Sequence, residues 1–104
     1  MDYRVIILEQ AERDLNDIYS YIYFNLKSKN SADRIAHRLR VTISGLSTMP
    51  NRFRIYPVEP WKSRGVRSVP VGNFTVFYLV NDVNTEVQVI RIVYGKRNVK
   101  KVLR

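Results

Sequence analysis

The stretch "NFTVFYLVN", residues 73–81, constrains the fold more than any other part of the chain. Its side chains are apolar in both alternating phases of a strand, and the two phases point to opposite faces of a sheet. One phase carries Phe74, Val76, Tyr78 and Val80, and the other carries Phe77 and Leu79. A strand that is apolar on both faces belongs inside a sheet that is covered, at least partly, on each side. The sequence therefore predicts a central strand here.

Two further strand-like stretches flank this one. "GVRSVPV", residues 65–71, precedes it and is joined to it by a Gly72-Asn73 turn, and "EVQVIRIVY", residues 86–94, follows after the turn "DVNT". Both are rich in β-branched residues and bounded by turn-forming residues, as antiparallel strands are. The last part of the chain therefore predicts a three-stranded antiparallel meander.

The first part of the chain predicts a strand followed by a helix. "YRVIILE", residues 3–9, has the β-branched and aromatic residues that strands favour. Apolar residues then recur in steps of four, three and four, which is the spacing of one helical stripe. They are Ala11, Leu15, Ile18 and Ile22. Asp14 and Asp17 are expected off this stripe, in contact with solvent.

A second amphipathic helix is predicted after the break "KSKN". Its apolar stripe comprises Ala32, Ile35, Ala36, Leu39, Ile43 and Leu46. Asn30 or Ser31 is expected to cap it, with Asp33 in the first turn complementing the helix dipole. The helix is expected to end at "MPN", because the residue before a proline avoids helical geometry. The short connection predicts an antiparallel helical hairpin.

The order of elements predicts an α+β fold. Residues 51–63, with two prolines and three aromatic residues, are expected to form an ordered loop or an irregular edge strand. The order is then β-α-α-β-β-β, with an N-terminal strand and the helical hairpin packed on a mostly antiparallel sheet. A chain of 104 residues has the length of one domain, and no repeat or linker divides it. Residues 1–104 are therefore expected to form a single domain.

The charge of the chain is unevenly distributed. Residues 1–33 hold four cations and six acids, a net charge of −2, whereas residues 34–104 hold fourteen cations and three acids, a net charge of +11. A one-sided positive field attracts phosphate backbones or an acidic protein partner. Solubility alone is a weaker explanation, because the imbalance is concentrated in one portion of the chain.

Most catalytic and metal-binding motifs are missing from the sequence. The chain has no cysteine and one histidine, His37, which is expected at a surface or half-buried helical position. This composition excludes a Ser-His-Asp or Cys-His arrangement and a histidine-rich metal site, and we expect neither a metal nor a cofactor. The absence of cysteine fits the reducing cytoplasm, and no apolar stretch approaches the ~20 residues that span a bilayer. We expect a cytoplasmic protein that does not associate with membranes.

Two arginines within strands are the strongest candidates for a binding site. Both share a phase with valines: Arg67 with Val69 and Val71, and Arg91 with Val87, Val89 and Val93. A cation on an apolar phase is costly unless it reaches solvent, a partner or a ligand. Two guanidiniums facing one side of the sheet suit phosphate, because each fork binds two oxygens. Alternatively, they bridge to Glu59, Asp82 or Glu86, or lie at a solvated rim.

Four stretches and the order of the elements together resemble a known family. They are "AERDLNDIYSYI", "MPNRFR", "GVRSVPVGNFTVFYLV", "VIRIVYGKRN" and the order of elements that connects them. This combination resembles the RelE/ParE superfamily of toxins from bacterial type II toxin–antitoxin modules, over nearly the whole chain. The resemblance implies a small basic toxin that arrests growth, and a cognate acidic antitoxin that neutralises it by covering the basic surface.

The resemblance also implies candidate site residues. Arg97 and Tyr94 fall where ribonuclease members carry functional residues. Arg67, singled out by its place in a strand, is a tentative third catalytic candidate. Tyr94 would supply a hydroxyl for proton transfer or a ring for stacking a base. The residues expected to bind nucleic acid or the target are Arg64, Arg91, Lys96, Lys100 and Lys101.

The same resemblance leaves two targets open. RelE-type members cut mRNA in the ribosome without metal, as endoribonucleases, and need a base, an acid and cations. ParE-type members inhibit DNA gyrase. Here the arginine expected in the middle strand is replaced by Thr75, and the lysines expected in the preceding strand by Val66 and Ser68. A third alternative is a non-toxic basic module, binding nucleic acid or protein, on the same scaffold.

Overall fold

A computed structural model describes residues 2–95 and shows four strands, two α-helices and one short 3-10 helix in that range. In chain order they are β1 (Arg4–Ile7), α1 (Glu9–Asn25), α2 (Lys29–Gly45), the 3-10 helix Pro50–Arg52, β2 (Arg67–Val71), β3 (Phe74–Asn81) and β4 (Glu86–Tyr94). The predicted α+β class and the order β-α-α-β-β-β are confirmed.

The four strands form one sheet in the order β1-β4-β3-β2. β3 pairs antiparallel with β2 on one side and with β4 on the other, so the predicted meander is confirmed. β1 pairs with β4 in parallel. Gly72, with φ of +59°, adopts the left-handed conformation that the tight turn between β2 and β3 requires.

Both faces of β3 are covered, as its two apolar phases predict. On one face, α1 and α2 pack against each other and against the sheet. The core on that face includes Ala11, Leu15, Leu39, Ile43, Phe74, Val76 and Tyr78. On the other face, Phe77 packs with Trp61, Val66 and Val93. The irregular segment 51–63, which touches β2 through the Ile55–Arg67 bridge, therefore acts as the second covering layer.

A β-bulge in β4 changes the predicted phase of that strand. Phe77 pairs with Arg91 but Tyr78 pairs with Val89, so Ile90 is an extra residue. One extra residue moves the following side chains to the opposite face. Val89 accordingly lies in the core under the helices, whereas Val93 lies in the cluster with Trp61. The prediction that Arg91 shares one phase with valines on both sides of it was wrong.

The start of α2 also differs from the prediction. Ser28, and not Asn30 or Ser31, is the N-cap, and its Oγ accepts a hydrogen bond from the backbone N–H of Ser31 at 3.1 Å. The helix therefore begins at Lys29 and has no acidic residue in its first turn. Asp33 instead pairs with Lys29 at 2.8 Å, across one helical turn.

Two other expectations concern positions in the helices. His37 is exposed on α2, as expected. Within residues 2–95, neither helix has the length and apolar character required to cross a membrane.

Candidate functional site

Arg91 is held by a buried carboxylate. Asp14, on α1, is buried next to Leu15, which contradicts its expected contact with solvent. The Arg91 guanidinium donates from Nε to Asp14 Oδ2 at 2.8 Å and from Nη2 to Oδ1 at 3.0 Å. The backbone N–H of Ile92 donates to Oδ2 as well, at 3.0 Å. The carboxylate thus satisfies both the guanidinium fork and a main-chain donor beside the bulge.

The position of Asp14 explains why the sequence misled us. It lies three residues after Ala11 and four before Ile18, which places it on the apolar side of α1. A carboxylate at a core position of a helix, together with an arginine in an apolar strand, is the signal that predicts such a buried pair. The three carboxylates that the sequence offered as partners of the arginines accept hydrogen bonds from other residues: Glu59 from Ser63, Asp82 from Tyr3, and Glu86 from Arg4.

Arg67 is held by main-chain carbonyls. Its Nη1 donates to the carbonyl of Phe53 at 2.6 Å and to that of Asn51 at 3.2 Å. It thereby ties β2 to the segment that follows the 3-10 helix. Arg67 and Arg91 do lie on the two strands that flank β3, but the structure attaches them to different partners. Their role in binding phosphate stays a prediction, and both guanidiniums already hold protein groups.

Asp82 is an acidic group whose pKa the charge of Arg67 affects. The Tyr3 hydroxyl donates to Asp82 Oδ1 at 2.6 Å, and the Asn51 amide donates to the same atom at 3.2 Å. These hydrogen bonds lower the pKa of Asp82, that from Tyr3 most, and the positive charge of Arg67 lowers it further. This network joins the N-terminus, the β3–β4 turn and the segment after α2.

Tyr94 closes β4 at an exposed position. Its side chain is 55% exposed, and its ring packs on Phe74 with centroids 5.2 Å apart. Gly95 follows with φ of +71°, and its N–H donates to the Asn73 carbonyl at 2.9 Å. Tyr94 therefore lies exposed at the end of the sheet near the β2–β3 turn, where it pairs with Phe74. Arg67 pairs with Tyr78, four residues further along β3, so the structure does not bring these two predicted catalytic residues together.

The other predicted site residues fall into two groups. Arg64 is exposed, with its guanidinium 5.3 Å from the centre of the Trp61 ring, on the face of the sheet away from the helices. Lys96, Arg97, Lys100 and Lys101 lie outside the described residues. No group of three His, Cys, Asp or Glu residues that could hold a metal is found in the described range 2–95.

Sequence reasoning missed an apolar groove beside Tyr94. The groove has a volume of about 610 Å³ and lies between the helical hairpin and the β2–β3 turn. Its apolar lining includes Ile18, Tyr21, Ile22, Leu26, Ile35, Phe74 and Tyr94. Tyr21 and Leu26 are 59% and 61% exposed at the C-terminal end of α1, where Leu26 follows the buried Ile22 by one helical turn. Large apolar side chains that the end of a helix leaves uncovered were the sequence signal for the groove.

The sequence of the chain matches one family model. The family model described as "ParE toxin of type II toxin-antitoxin system, parDE" matches residues 5–99. No curated protein sequence matches the chain significantly.

Two solved structures share the fold. A chain from the chromosomal ParDE toxin–antitoxin system of P. aeruginosa aligns with a TM-score of 0.73 and 23% identity, over 90% of this chain and 97% of that one. A chain from the toxin–antitoxin complex RelBE2 of Mycobacterium tuberculosis aligns with a TM-score of 0.69 and 22% identity, over 90% of this chain and 92% of that one. At these identities, the structural likeness concerns the fold alone.

Proposed function

Because the chain belongs to the family of ParE toxins of type II toxin–antitoxin systems, within the superfamily that its motifs resemble, we propose that it arrests growth by inhibiting DNA gyrase. The observation that carries this choice of target is that both strand arginines already bind groups within the protein. Arg91 binds Asp14 with its fork, and Arg67 binds two main-chain carbonyls.

Metal-free RNA cleavage would need cations from residues other than Arg67 and Arg91. The transition state carries extra negative charge on phosphate, and losing one preorganised donor costs ~10²–10³ in rate. A guanidinium that already satisfies a carboxylate would have to break that contact before it could serve a phosphate. Thr75, which pairs with Val93 in the middle of the sheet, supplies a hydroxyl and no charge. This arrangement supports a binding mechanism over a catalytic one.

Ribosome-dependent mRNA cleavage is the second candidate. Tyr94 supports it, because an exposed phenol at the end of β4 is placed to stack a base or to move a proton. Arg64, also exposed, adds a cation on the far face of the sheet. Arg97 and Lys96 are the residues on which this alternative depends most.

The partner that would neutralise the toxin is an acidic antitoxin. The apolar groove beside Tyr94 supports this proposal, because an exposed apolar surface of this size suits the apolar side of a partner helix. The net charge of +9 attracts an acidic chain to the protein as a whole. Both features favour an amphipathic acidic segment as the neutralising partner. Gyrase and the ribosome are both cytoplasmic, so we propose that the protein acts in the cytoplasm.

Two assays run in parallel test the target. Purified full-length protein is expected to block supercoiling of relaxed plasmid by gyrase and to leave mRNA intact in a translating extract. The variants Arg97→Ala and Tyr94→Phe separate the mechanisms, since a ribonuclease would lose cleavage in both. Codon-specific cleavage that Arg97→Ala abolishes, together with unaffected supercoiling, would overturn the gyrase proposal. Growth arrest on induction, relieved by an acidic protein encoded next to this gene, tests the toxin–antitoxin role itself.

A further inference from the structure

The outward side of α2 carries a basic strip that the proposed function does not use. Arg34, His37, Arg38 and Val41 are all exposed. Their spacing of three, four and seven residues places them along one face of the helix. This face lies opposite the side that buries Leu39 in the core. We call these four residues the α2 strip.

The charge of the α2 strip is not compensated by the hairpin. The acidic side chains with partners on α1 and α2 pair as Glu9–Arg13, Glu12–Arg40, Asp14–Arg91 and Asp33–Lys29. Within the residues that the structure describes, Arg34 and Arg38 neither donate a hydrogen bond nor pair with a carboxylate. Two permanent cations one helical turn apart therefore face solvent, which is where a phosphate-binding surface needs them.

Arg38 lies at the junction of two elements. Its Nη1 is 3.5 Å from the position that a Cβ on Gly72 would occupy, an ordinary van der Waals distance, so the guanidinium lies against the β2–β3 turn. Shallow hollows on either side of Arg38 are lined by Ile35 and Asn73 on one side and by His37 and Thr42 on the other. The turn thus leaves the guanidinium open on both sides along the helix.

We propose that the α2 strip binds the phosphate backbone of double-stranded DNA, whichever target the toxin has. Each guanidinium fork can hold two phosphate oxygens, and the net charge of +9 favours encounter with a polyanion. The outward face of a helix fits the wide major groove of B-form DNA, whereas the major groove of double-stranded RNA is too narrow. A protein partner is less well matched, because Val41 is the strip's one apolar residue and the strip has no aromatic anchor.

Fluorescence anisotropy with a labelled B-form duplex tests this proposal over a series of KCl concentrations. Each phosphate contact contributes roughly 0.9 to the slope of log K against log salt. The variant Arg34→Ala/Arg38→Ala is therefore expected to reduce the steepness of that slope by about 2. The variant Arg34→Lys/Arg38→Lys, which keeps both charges, is expected to retain it.

The matched control removes the same charge from another surface. Arg54 and Lys62 are exposed in the segment between the 3-10 helix and β2, away from α2. The variant Arg54→Ala/Lys62→Ala is expected to leave the slope nearly unchanged. Circular dichroism checks that each variant retains the fold, which is expected because all four positions are exposed.

Three results would overturn the proposal. The first is a wild-type protein that does not bind the duplex. The second is an equal loss of slope in both alanine variants, which would assign binding to overall charge. The third is an RNA duplex that binds as tightly through the same two arginines, because that would remove the assignment to DNA.

Discussion

The junction between α1 and β4 and the junction between β2 and the 3-10 helix each hold one strand arginine, with different chemistry. At the first, Arg91 forms an ion pair with Asp14, and the two side chains are 25% and 9% exposed. At the second, Arg67 donates to the carbonyls of Asn51 and Phe53. A carboxylate neutralises the cation it binds, whereas a carbonyl satisfies its donors and leaves its charge in place.

This difference determines which arginine still acts at a distance. The charge of Arg67 helps to lower the pKa of Asp82, after the hydrogen bonds from Tyr3 and Asn51. It also opposes the effect of burial, which raises the pKa of Tyr78. The positive potential therefore remains at the β2 junction. Arg67, and not Arg91, is the arginine whose charge enters the pKa of these two neighbours.

Removing Asp14 is expected to have the largest effect. Asp14→Ala leaves the Arg91 guanidinium without its carboxylate and the buried N–H of Ile92 without an acceptor. Breaking a buried ion pair from one side costs about 3 kcal/mol. Urea denaturation is therefore expected to show a loss of that size in the free energy of unfolding.

Asp17 provides the control for this change. It is an exposed carboxylate one turn further along α1. Asp17→Ala is expected to change the free energy of unfolding by no more than about 0.5 kcal/mol. Similar losses in the two variants would contradict the distinction between a buried and an exposed carboxylate on this helix.

Removing the Arg67 guanidinium is expected to have a smaller effect. Arg67→Met keeps most of the apolar stem and removes the donors to two carbonyls. The expected loss in the free energy of unfolding is about 2 kcal/mol, because the carbonyls also lose a charged donor. Arg54→Met, at an exposed position nearby, is the control. A loss as large as that of Asp14→Ala would show that carbonyls hold an arginine as firmly as a buried carboxylate does.

The sequence predicted the elements well because their periodicity is strong. The two apolar phases of β3 correctly predicted an interior strand with packing on both faces. The helical stripes, the Gly72 turn and the α+β order were also correct. These features depend on local patterns of apolar residues and turn residues, which a sequence displays directly.

The site was harder to predict because it depends on single residues. One extra residue in β4, Ile90, moved the later side chains of that strand to the other face. The prediction that Asp14 contacts solvent follows from its charge, whereas its spacing places it on the apolar side of α1. Its partner Arg91 lies 77 residues away in the chain, so the local pattern does not identify the cation that neutralises it. The tail residues Lys96 and Arg97 stay predictions.

The smallest expected effect concerns the pH dependence of stability at the β2 junction. Hydrogen bonds, that from Tyr3 first, hold the pKa of Asp82 below its ordinary value of 3.8. A lowered pKa in the fold contributes stability that is present above the unfolded value and is lost as the pH falls through the folded value. Asp82→Asn removes this contribution. The difference in the free energy of unfolding between wild type and variant is therefore expected to be constant from neutral pH to about pH 5 and to shrink below about pH 4.

The same measurement separates the two arginines. Arg67→Met removes a charge that helps to lower the pKa of Asp82, so the acidic limb of the difference curve is expected to move to higher pH. Arg91→Met is expected to leave the limb in place, because the charge of Arg91 is compensated by Asp14 and does not contribute to the pKa of Asp82. An equal shift of the acidic limb in the Arg67→Met and Arg91→Met proteins would contradict the conclusion that a carboxylate neutralises its arginine whereas carbonyls leave the charge in place.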